Sequence, residues 1–501
     1  MDEVGPAPGV PAATSLRLPS RWPTYALVLG SVAGIFAVGL AIPALAGHSP
    51  GVVSAGRAPA TKLTFGPLVD HDRRPPPRFS DTPLVTSPAP PPDVALVASD
   101  VGVTPTSITL GVILPSLGAI ASFGIDVSSL DPKTQETYWD SAVARVNAAG
   151  GVDGRRLDVV FATASILSAD SQRAACQSLT EDHHVFAVAN ELGITGDPVL
   201  CVTRDHATPF IGIDGEDPSY YAQSDGRLVT LELPTTEVLT IMVDRLAQLG
   251  LVGGHTIGVV HSTGPGGIDG AALRKSLLAD GAQAVIDGPL GNQDPLLVSG
   301  QVAQAEQQMH QAGVDTVLLL TNAVYGTVFG TQADQDRYTP TYVVTDLGSA
   351  TAGDSFIANQ PASFFRQALA VTTSELGQGR SNLPETPLDA GCRLAYQFLA
   401  RRSIDRDGSD AVAALGACSI VQILTMGLNG AGPNPTRGAF TAALSGFGLF
   451  ALPAFGRGDL AAGRLGIADD VEIAAGHADC QCWYAVDGFR PISSVIGPGG
   501  P

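Results

Sequence analysis

Three carboxylates directly follow predicted strands, where an α/β protein presents side chains to a ligand. They are Glu191, Glu216 and Asp346. Carboxylates in such positions can transfer protons or bind a cationic or hydroxyl group. The region from Ser107 onward contains no G-x-S-x-G nucleophile motif, which disfavours an enzyme. The alternative for Glu191 and Glu216 is that they are solvated loop carboxylates that never contact a ligand.

The other polar motifs give weak support for metal or phosphate sites. Near the C-terminus, zinc could be ligated by His477, Asp479, Cys480 and Cys482. A disulfide explains these two thiols more simply. The acidic segment 405–410 has Gly416 where a calcium loop has its last glutamate, and the glycines of segment 264–267 lack the G-K-[ST] ending of a phosphate loop. We therefore expect no metal and no cofactor.

All six cysteines lie beyond residue 175, and an even number is typical of disulfide-bonded proteins in an oxidising compartment. Their order along the chain suggests the local pairs Cys176–Cys201 and Cys392–Cys418. The pairing of Cys480 and Cys482 stays open.

The bulk composition excludes some classes of partner. The 501 residues carry a net charge of -20, which disfavours nucleic acid and anionic lipid surfaces because both are bound through lysine and arginine. Hydrophobic residues make up 45% of the chain and charged residues 15%, as in a globular protein. The length exceeds what one compact core needs and predicts two or more lobes.

The N-terminal region carries a membrane signal. No charged side chain occurs between Trp22 and Gly47, and residues 24–46 are long enough as a helix to cross a bilayer. Arg17 and Arg21 precede this segment and favour a cytoplasmic tail over residues 1–23. The segment ends in an A-x-A pattern, so it is either a transmembrane anchor or a cleaved signal peptide. The rest of the chain is predicted to be extracytoplasmic or secreted.

Residues 47–104 are predicted to be a disordered linker, since eleven prolines lie between Pro50 and Pro92. From Ser107 onward, strand and helix patterns alternate, which predicts two doubly wound parallel-sheet lobes joined by a hinge. Lobe 1 covers residues 105–235 and is completed by about 372–450. Lobe 2 covers residues 236–371 and is completed by about 451–496.

Individual elements follow from periodicity. In lobe 1 we predict strands at 108–114, 157–161, 185–189 and 209–213, and helices at 134–149 and 169–182. In lobe 2 we predict strands at 256–260, 284–286, 314–320 and 341–345, and helices at 237–249, 268–279 and 298–312. Residues 387–428 have a helical pattern, and 435–496 read as short strands.

Two segments of lobe 1 resemble a known family. They are Ser107-Ile-Thr-Leu-Gly-Val-Ile-Leu-Pro-Ser-Leu-Gly118 and Ala142-Val-Ala-Arg-Val-Asn-Ala-Ala-Gly-Gly-Val-Asp-Gly-Arg-Arg-Leu157. Together they are similar to the leucine/isoleucine/valine-binding proteins, which are periplasmic binding proteins of type I and solute receptors of ABC transporters. The resemblance covers roughly residues 105–430. It implies a small-molecule solute held between the lobes, together with a membrane permease or sensor as partner.

The resemblance also implies site residues. Phe123 occupies the position of an aromatic residue that covers the ligand, and Asp346 that of an acid that binds an amino group. Glu216 replaces a family hydroxyl residue, and Glu191 enters a loop that binds a carboxylate, so the resemblance implies a ligand with cationic or hydroxyl groups. The candidate ligand-binding residues are Ser116, Phe123, Asn190, Glu191, Thr195, Asp214, Glu216, His261, Ser262, Asn322, Tyr325 and Asp346. The alternative is a membrane-anchored sensor or protein-interaction receptor whose ligand cleft has degenerated.

Overall fold

The computed structural model describes residues 94–118, 131–166, 168–263, 267–291, 295–347 and 359–496. The segment predicted to be a membrane anchor or signal, at 24–46, and the linker up to residue 93 lie outside the described residues, as does Phe123. Residues that precede the first strand already contact the folded head: the amide of Val97 donates to Asn434 Oδ1 at 2.9 Å.

Lobe 1 is built on a sheet of five parallel strands. These are β1 (Ser107–Ser116), β2 (Arg156–Ser165), β3 (Ala187–Asn190), β4 (Phe210–Gly212) and β5 (Leu228–Thr230). Their order across the sheet is β2-β1-β3-β4-β5. β3 and β4 are buried along their whole length, as expected of central strands covered on both faces by helices. This confirms the predicted parallel α/β architecture.

Lobe 2 repeats this arrangement. Its parallel strands are β6 (Thr256–Ser262), β7 (Ala284–Leu290), β8 (Thr316–Leu320), β9 (Thr341–Thr345) and β10 (Ala368–Thr372). They are ordered β7-β6-β8-β9-β10, the same topology as in lobe 1. The C-terminal strands β13 (Asp470–His477), β14 (Cys482–Ala485) and β15 (Arg490–Pro491) extend this sheet beyond β10 in antiparallel pairing. The second sheet is therefore mixed, with a parallel centre.

Helices cover both sheets. They are α1 (Pro132–Ala148), α2 (Ala169–Gln177), α3 (Asp197–Leu200), α4 (Pro218–Gln223), α5 (Thr235–Gln248), α6 (Gly270–Ala279), α7 (Pro295–Gln311), α8 (Ala323–Gln335), α9 (Ala362–Phe365), α10 (Pro387–Ala400), α11 (Ser409–Ala431) and α12 (Arg437–Leu444). α1 shows why these segments are helical: Asp131 caps it by accepting from two amides, and Pro132 is its first residue. Its predicted apolar face, which includes Trp139, is buried.

The C-terminal third differs from the prediction in two places. The helical pattern over 387–428 is divided into α10 and α11, because Arg401 caps α10 in the left-handed region with φ of 53°. Residues 437–444, predicted to be strand, form α12, which begins after the capping side chain of Thr436. β11 (Leu449–Leu452) and β12 (Gly456–Asp459) form a separate two-stranded hairpin.

Helix α11 is apolar and long enough to cross a membrane, with a mean hydropathy of 1.9 over an 18-residue window. However, 89% of that window is buried inside the protein. α11 packs against α1, α10 and α12 and is a core helix of lobe 1.

The structure contains the predicted disulfides. Cys176 of α2 is bonded to Cys201, which follows α3, and Cys392 of α10 is bonded to Cys418 of α11. The third bond joins Cys480 to Cys482 at the turn between β13 and β14, which settles the pairing that the sequence left open. Each bond ties together neighbouring segments within one lobe.

Candidate functional site

The candidate residues of lobe 1 lie at the carboxyl edge of its sheet. Ser116 is the exposed last residue of β1, and Asn190 is the buried last residue of β3. Asp214 and Glu216 follow β4 directly, and both are buried. The carboxyl edge of an open α/β sheet is where such folds bind ligands.

Lobe 2 presents its candidates in the same way. His261 and Ser262 end β6, Asn322 begins the loop into α8, and Asp346 follows β9. The structure thus places these candidates at the carboxyl edges of the two sheets, as the strand pattern predicted.

The two edges touch through a small apolar cluster. Lobe 1 contributes Leu117, with Ile166 and Leu192 packed at its side, and the first turn of α8 contributes residues 323–325. Leu117 is only 4% exposed. The lobes are therefore in direct contact at the edges that would face a ligand, as in a closed form of a two-lobed protein.

Asp346 is the most deeply buried of the candidate carboxylates, with 1% exposure. One oxygen accepts a hydrogen bond from the Thr372 hydroxyl at 2.5 Å. The other accepts from the amide and the hydroxyl of Thr373, both at 2.7 Å. Asp346 therefore joins β9 to the segment that leaves lobe 2 after β10.

The lobe 1 carboxylates hold neighbouring loops. Asp214 accepts from the amide of Gly193 at 2.6 Å, and Glu216 accepts from the amide of Gly196 at 2.9 Å. Burial raises the pKa of Glu216 to about 8, although the bond from Gly196 favours its ionised form. Glu216 is consequently a buried loop carboxylate, contrary to the solvated alternative considered for it.

Glu191 lies against the core helix α11. A Cβ atom added at Gly416 would come within 2.8 Å of its Oε1, so the glycine makes room for this side chain. Burial raises the pKa of Glu191 well above its usual range, and the negative charge of Asp214 adds to this rise. Glu191 is partly buried and is not a freely solvated side chain either.

A carboxylate that sequence reasoning missed completes the arrangement. Glu232 lies in the segment 231–234, which connects the two lobes, and it is 6% exposed. Burial raises its pKa well above the usual range, and the charges of Asp346 and Asp214 raise it further. The amide of Gly215 donates a hydrogen bond to Glu232 Oε2 at 3.3 Å. This bond lowers the pKa of Glu232, against the effects of burial and of the two charges.

Carboxylates of both lobes and of the connecting segment thus converge. We call Asp214, Glu232 and Asp346 the acid cluster. One sequence feature could have indicated Glu232, because this charged residue stands between two apolar residues, Leu231 and Leu233. No pattern pointed to Thr372 and Thr373, which bond Asp346 from 26 and 27 residues further along the chain.

Three candidates have side chains that are engaged within their own lobe. Asn190 donates to the Ile113 carbonyl at 2.7 Å and accepts from the amide of Ile194 at 3.3 Å. Asn322 caps α8 by accepting from the amide of Tyr325. The buried ring of His261 lies 3.0 Å from a carboxylate oxygen of Asp287 on β7. These three groups shape the loops at the sheet edges.

The remaining candidates supply hydroxyl groups. Ser116 and Thr195 are exposed. The hydroxyl of Ser262 lies 3.4 Å from that of Thr321, so two hydroxyl groups sit side by side at the ends of β6 and β8. Tyr325 is partly buried in the contact between the lobes. Hydroxyl groups of this kind can orient a polar solute.

Comparisons with known proteins agree with this architecture. A family model described as periplasmic binding protein matches residues 107–471. No curated protein matches the chain. Among solved structures, the chain is similar to the fatty acid ABC transporter substrate-binding protein from Thermomonospora curvata, at 15% identity and a TM-score of 0.59, covering 81% of this chain and 98% of that one.

Two further solved structures have the same fold. One is a solute binding protein of an ABC transporter from Rhodopseudomonas palustris in complex with 3,4-dihydroxy benzoic acid, at 16% identity and a TM-score of 0.56, covering 79% of this chain and 99% of that one. The other is the branched-chain amino acid transporter substrate binding protein from Streptococcus pneumoniae in complex with isoleucine, at 14% identity and a TM-score of 0.56, covering 77% and 99%.

Proposed function

Because the chain belongs to the periplasmic binding protein family, whose members are extracytoplasmic solute-binding proteins and not enzymes, we propose that it captures a small cationic or hydroxyl-bearing solute between its two lobes. Amino-acid-like molecules with an additional positive group are the class we favour. The observation that carries the proposal is the acid cluster, to which lobe 1, the connecting segment and lobe 2 each contribute a carboxylate.

The electrostatics of the acid cluster favour a cation. Burial, and in addition the negative charges of Asp346 and Asp214, raise the pKa of Glu232 and so disfavour its ionised form. A bound ammonium or guanidinium group would offset that repulsion and form charge-assisted hydrogen bonds. The ligands of the two similar structures, an aromatic acid and an aliphatic amino acid, show that this fold accommodates different solutes.

The contact between the lobes relates solute binding to closure of the protein. Leu117 and Val324 bury apolar surface when the lobes meet, which favours closure modestly. A solute that touches both lobes would bind the closed form better than the open form and shift the population towards it. A partner protein could then recognise the closed form.

We propose an ABC transporter permease as that partner, with the segment 24–46 as a membrane anchor or as a cleaved signal. A sensor or protein-interaction receptor with a degenerate cleft is the second candidate. One observation favours it: Asp346, the acid that the family resemblance assigns to the ligand, already accepts three hydrogen bonds from Thr372 and Thr373.

A thermal-shift panel separates these two functions. The purified protein is heated with arginine, ornithine, putrescine or spermidine, and in parallel with leucine, glutamate and glucose. Solute capture predicts a rise in Tm that depends on concentration and is largest for the cationic solutes.

The matched control pair is Glu232→Gln and Glu237→Gln. Both changes remove one carboxylate, but Glu237 lies on α5 and its carboxyl is influenced by Arg464 instead of the acid cluster. Capture requires that Glu232→Gln lose the shift and Glu237→Gln keep it. A flat response of the wild-type protein to the whole panel would favour the receptor function.

A further inference from the structure

The disulfide at the turn between β13 and β14 differs from the other two in its exposure. Cys480 is exposed at this turn, whereas Cys482, the first residue of β14, is only 4% exposed. The four cysteines of the other two bonds are at most 3% exposed. Thiol–disulfide exchange requires a thiolate to reach a sulfur atom. Of the three bonds in the folded protein, the turn bond is therefore the one that presents a sulfur to a reductant.

The fold holds this turn in place without the help of the bond. β13 and β14 pair at four successive positions, which end with His477 opposite Cys482. The side-chain amide of Gln481 also donates to the carbonyl of Gln360 at 2.8 Å. The two cysteines therefore stay neighbours whether or not their sulfurs are bonded, so reduction leaves the hairpin intact.

The length of the closed loop also distinguishes the turn bond. Its two cysteines are 2 positions apart in the sequence, whereas the cysteines of the other pairs are 25 and 26 positions apart. A disulfide that closes a short loop removes less conformational entropy from the unfolded chain, so folding contributes less to keeping it oxidised. We therefore expect the turn bond to be the most easily reduced of the three.

The neighbours of the two sulfurs suit the reduced state. His477 lies directly opposite Cys482, so the two side chains are on the same face of the sheet, where the His477 ring packs on Tyr484 with centroids 4.1 Å apart. An imidazole can give a proton to a leaving group, and the buried sulfur of Cys482 needs one because negative charge is poorly solvated there. The carbonyl oxygen of His477 lies 3.6 Å from Cys480 Sγ and is an acceptor for that thiol once the bond is reduced.

We propose that the Cys480–Cys482 disulfide is redox-active and accepts two electrons from dithiols while the protein remains folded. A thiolate of the dithiol attacks Cys480 Sγ, the bond between the two sulfurs breaks, and its electron pair leaves on Cys482 Sγ, which His477 protonates. The second thiol of the dithiol loses its proton to solvent and attacks the mixed disulfide. Cys480 leaves as a thiolate and is protonated, and His477 recovers its proton from water. The dithiol is thereby oxidised to a disulfide, and the protein gains two electrons and two protons.

This reactivity does not rest on the proposed function. Leu369, near the start of β10, pairs with Ala475, near the end of the antiparallel β13. The turn after β13 consequently lies at the amino edge of the parallel strands of lobe 2. The candidate solute-binding residues lie at the opposite, carboxyl edge, so the exchange is measured without any solute.

The test is reduction of the folded full chain in mixtures of reduced and oxidised dithiothreitol, followed by alkylation with N-ethylmaleimide and peptide mass spectrometry. We expect Cys480 and Cys482 to be alkylated together, with half-reduction at a ratio of reduced to oxidised dithiothreitol about tenfold or more below that of either buried pair. Circular dichroism should show a retained fold, and oxidised dithiothreitol alone should restore the bond. Simultaneous reduction of all three bonds, or alkylation of the turn cysteines only after unfolding, would overturn the proposal.

His477→Gln and His255→Gln form a matched pair that tests the proton donor. His255 is a partly exposed histidine of lobe 2 that lies 3.0 Å from Asp315 and precedes β6, which is four strands away from β13 in the sheet. His477→Gln should slow reduction and reoxidation alike by about tenfold and leave the equilibrium unchanged, because a proton donor lowers the barrier in both directions. His255→Gln should change neither rate. Equal rates in the wild type and His477→Gln would exclude His477 from the step.

Discussion

Glu232 and Glu375 are both buried carboxylates on segments that connect the lobes, but their surroundings differ. Glu375 is bonded to Arg406 at 2.8 Å, and this positive charge opposes the effects of burial and of Asp389, which raise its pKa to about 7. The charges that act on Glu232 are the carboxylates of Asp346 and Asp214. An acid balanced by an arginine serves the fold, whereas an acid surrounded by acids is suited to a cation that arrives from outside.

The largest expected effect comes from removing the arginine. Arg406→Ala leaves Glu375 buried without its counter-ion, and we expect a loss of about 3–5 kcal/mol in the free energy of unfolding. Urea denaturation measures this change. Arg204→Ala is the control, since the Arg204–Asp205 pair is exposed and should contribute nothing measurable. A loss as small as that of the control would show that Arg406 does not balance Glu375.

The second effect is a pH dependence carried by Glu216. Its pKa is raised to about 8 in the folded protein, so its contribution to stability is full below about pH 4.5 and is lost as pH rises through about 8. The fall in unfolding free energy between pH 5 and 9 should be about 2–4 kcal/mol smaller in Glu216→Gln than in the wild type. Parallel curves for the two proteins would contradict the assignment.

A third effect should appear on binding. If a cationic solute stabilises the ionised form of Glu232, whose pKa is raised well above its usual range, binding releases a proton and affinity should increase as pH rises. Calorimetry in two buffers with different ionisation enthalpies measures the released proton directly. The proton release should disappear in Glu232→Gln. Its persistence in that variant would assign the proton to another group.

A further effect concerns the contact between the lobes. Leu117→Ala removes three carbons from an almost fully buried side chain, so we expect a loss of about 2–3 kcal/mol in stability. The same change should shift the protein without solute towards a more open form, which small-angle X-ray scattering detects as a larger radius of gyration. An unchanged radius would mean that this cluster does not hold the lobes together.

Periodicity in the sequence predicted most of the architecture, because short apolar runs such as residues 108–114 and 314–320, bounded by turn residues, favour buried parallel strands. It missed the antiparallel extension of the second sheet, since β13 pairs with β10 across about 100 residues of intervening chain. It also missed α12, whose short helix depends on the cap at Thr436.

The candidate site was predictable in position but not in detail. Strand ends located Asp214 and Asp346, because ligand loops follow parallel strands. The bonds from Thr372 and Thr373 to Asp346, and the approach of Glu232 to both acids, arise from tertiary packing of the connecting segments. Local patterns contain no information on such contacts. His261 shows the converse, since its strand-end position did not reveal that its ring packs towards Asp287.

Hydrogen–deuterium exchange of the protein, with and without the cationic solute that gives the largest thermal shift, tests capture between the lobes most directly. Capture between the lobes predicts simultaneous protection of the loops around 190–196 and 214–217 in lobe 1 and of residues 321–325 and 345–347 in lobe 2. Protection confined to one lobe, or located elsewhere on the surface, would contradict capture of the solute between the two lobes.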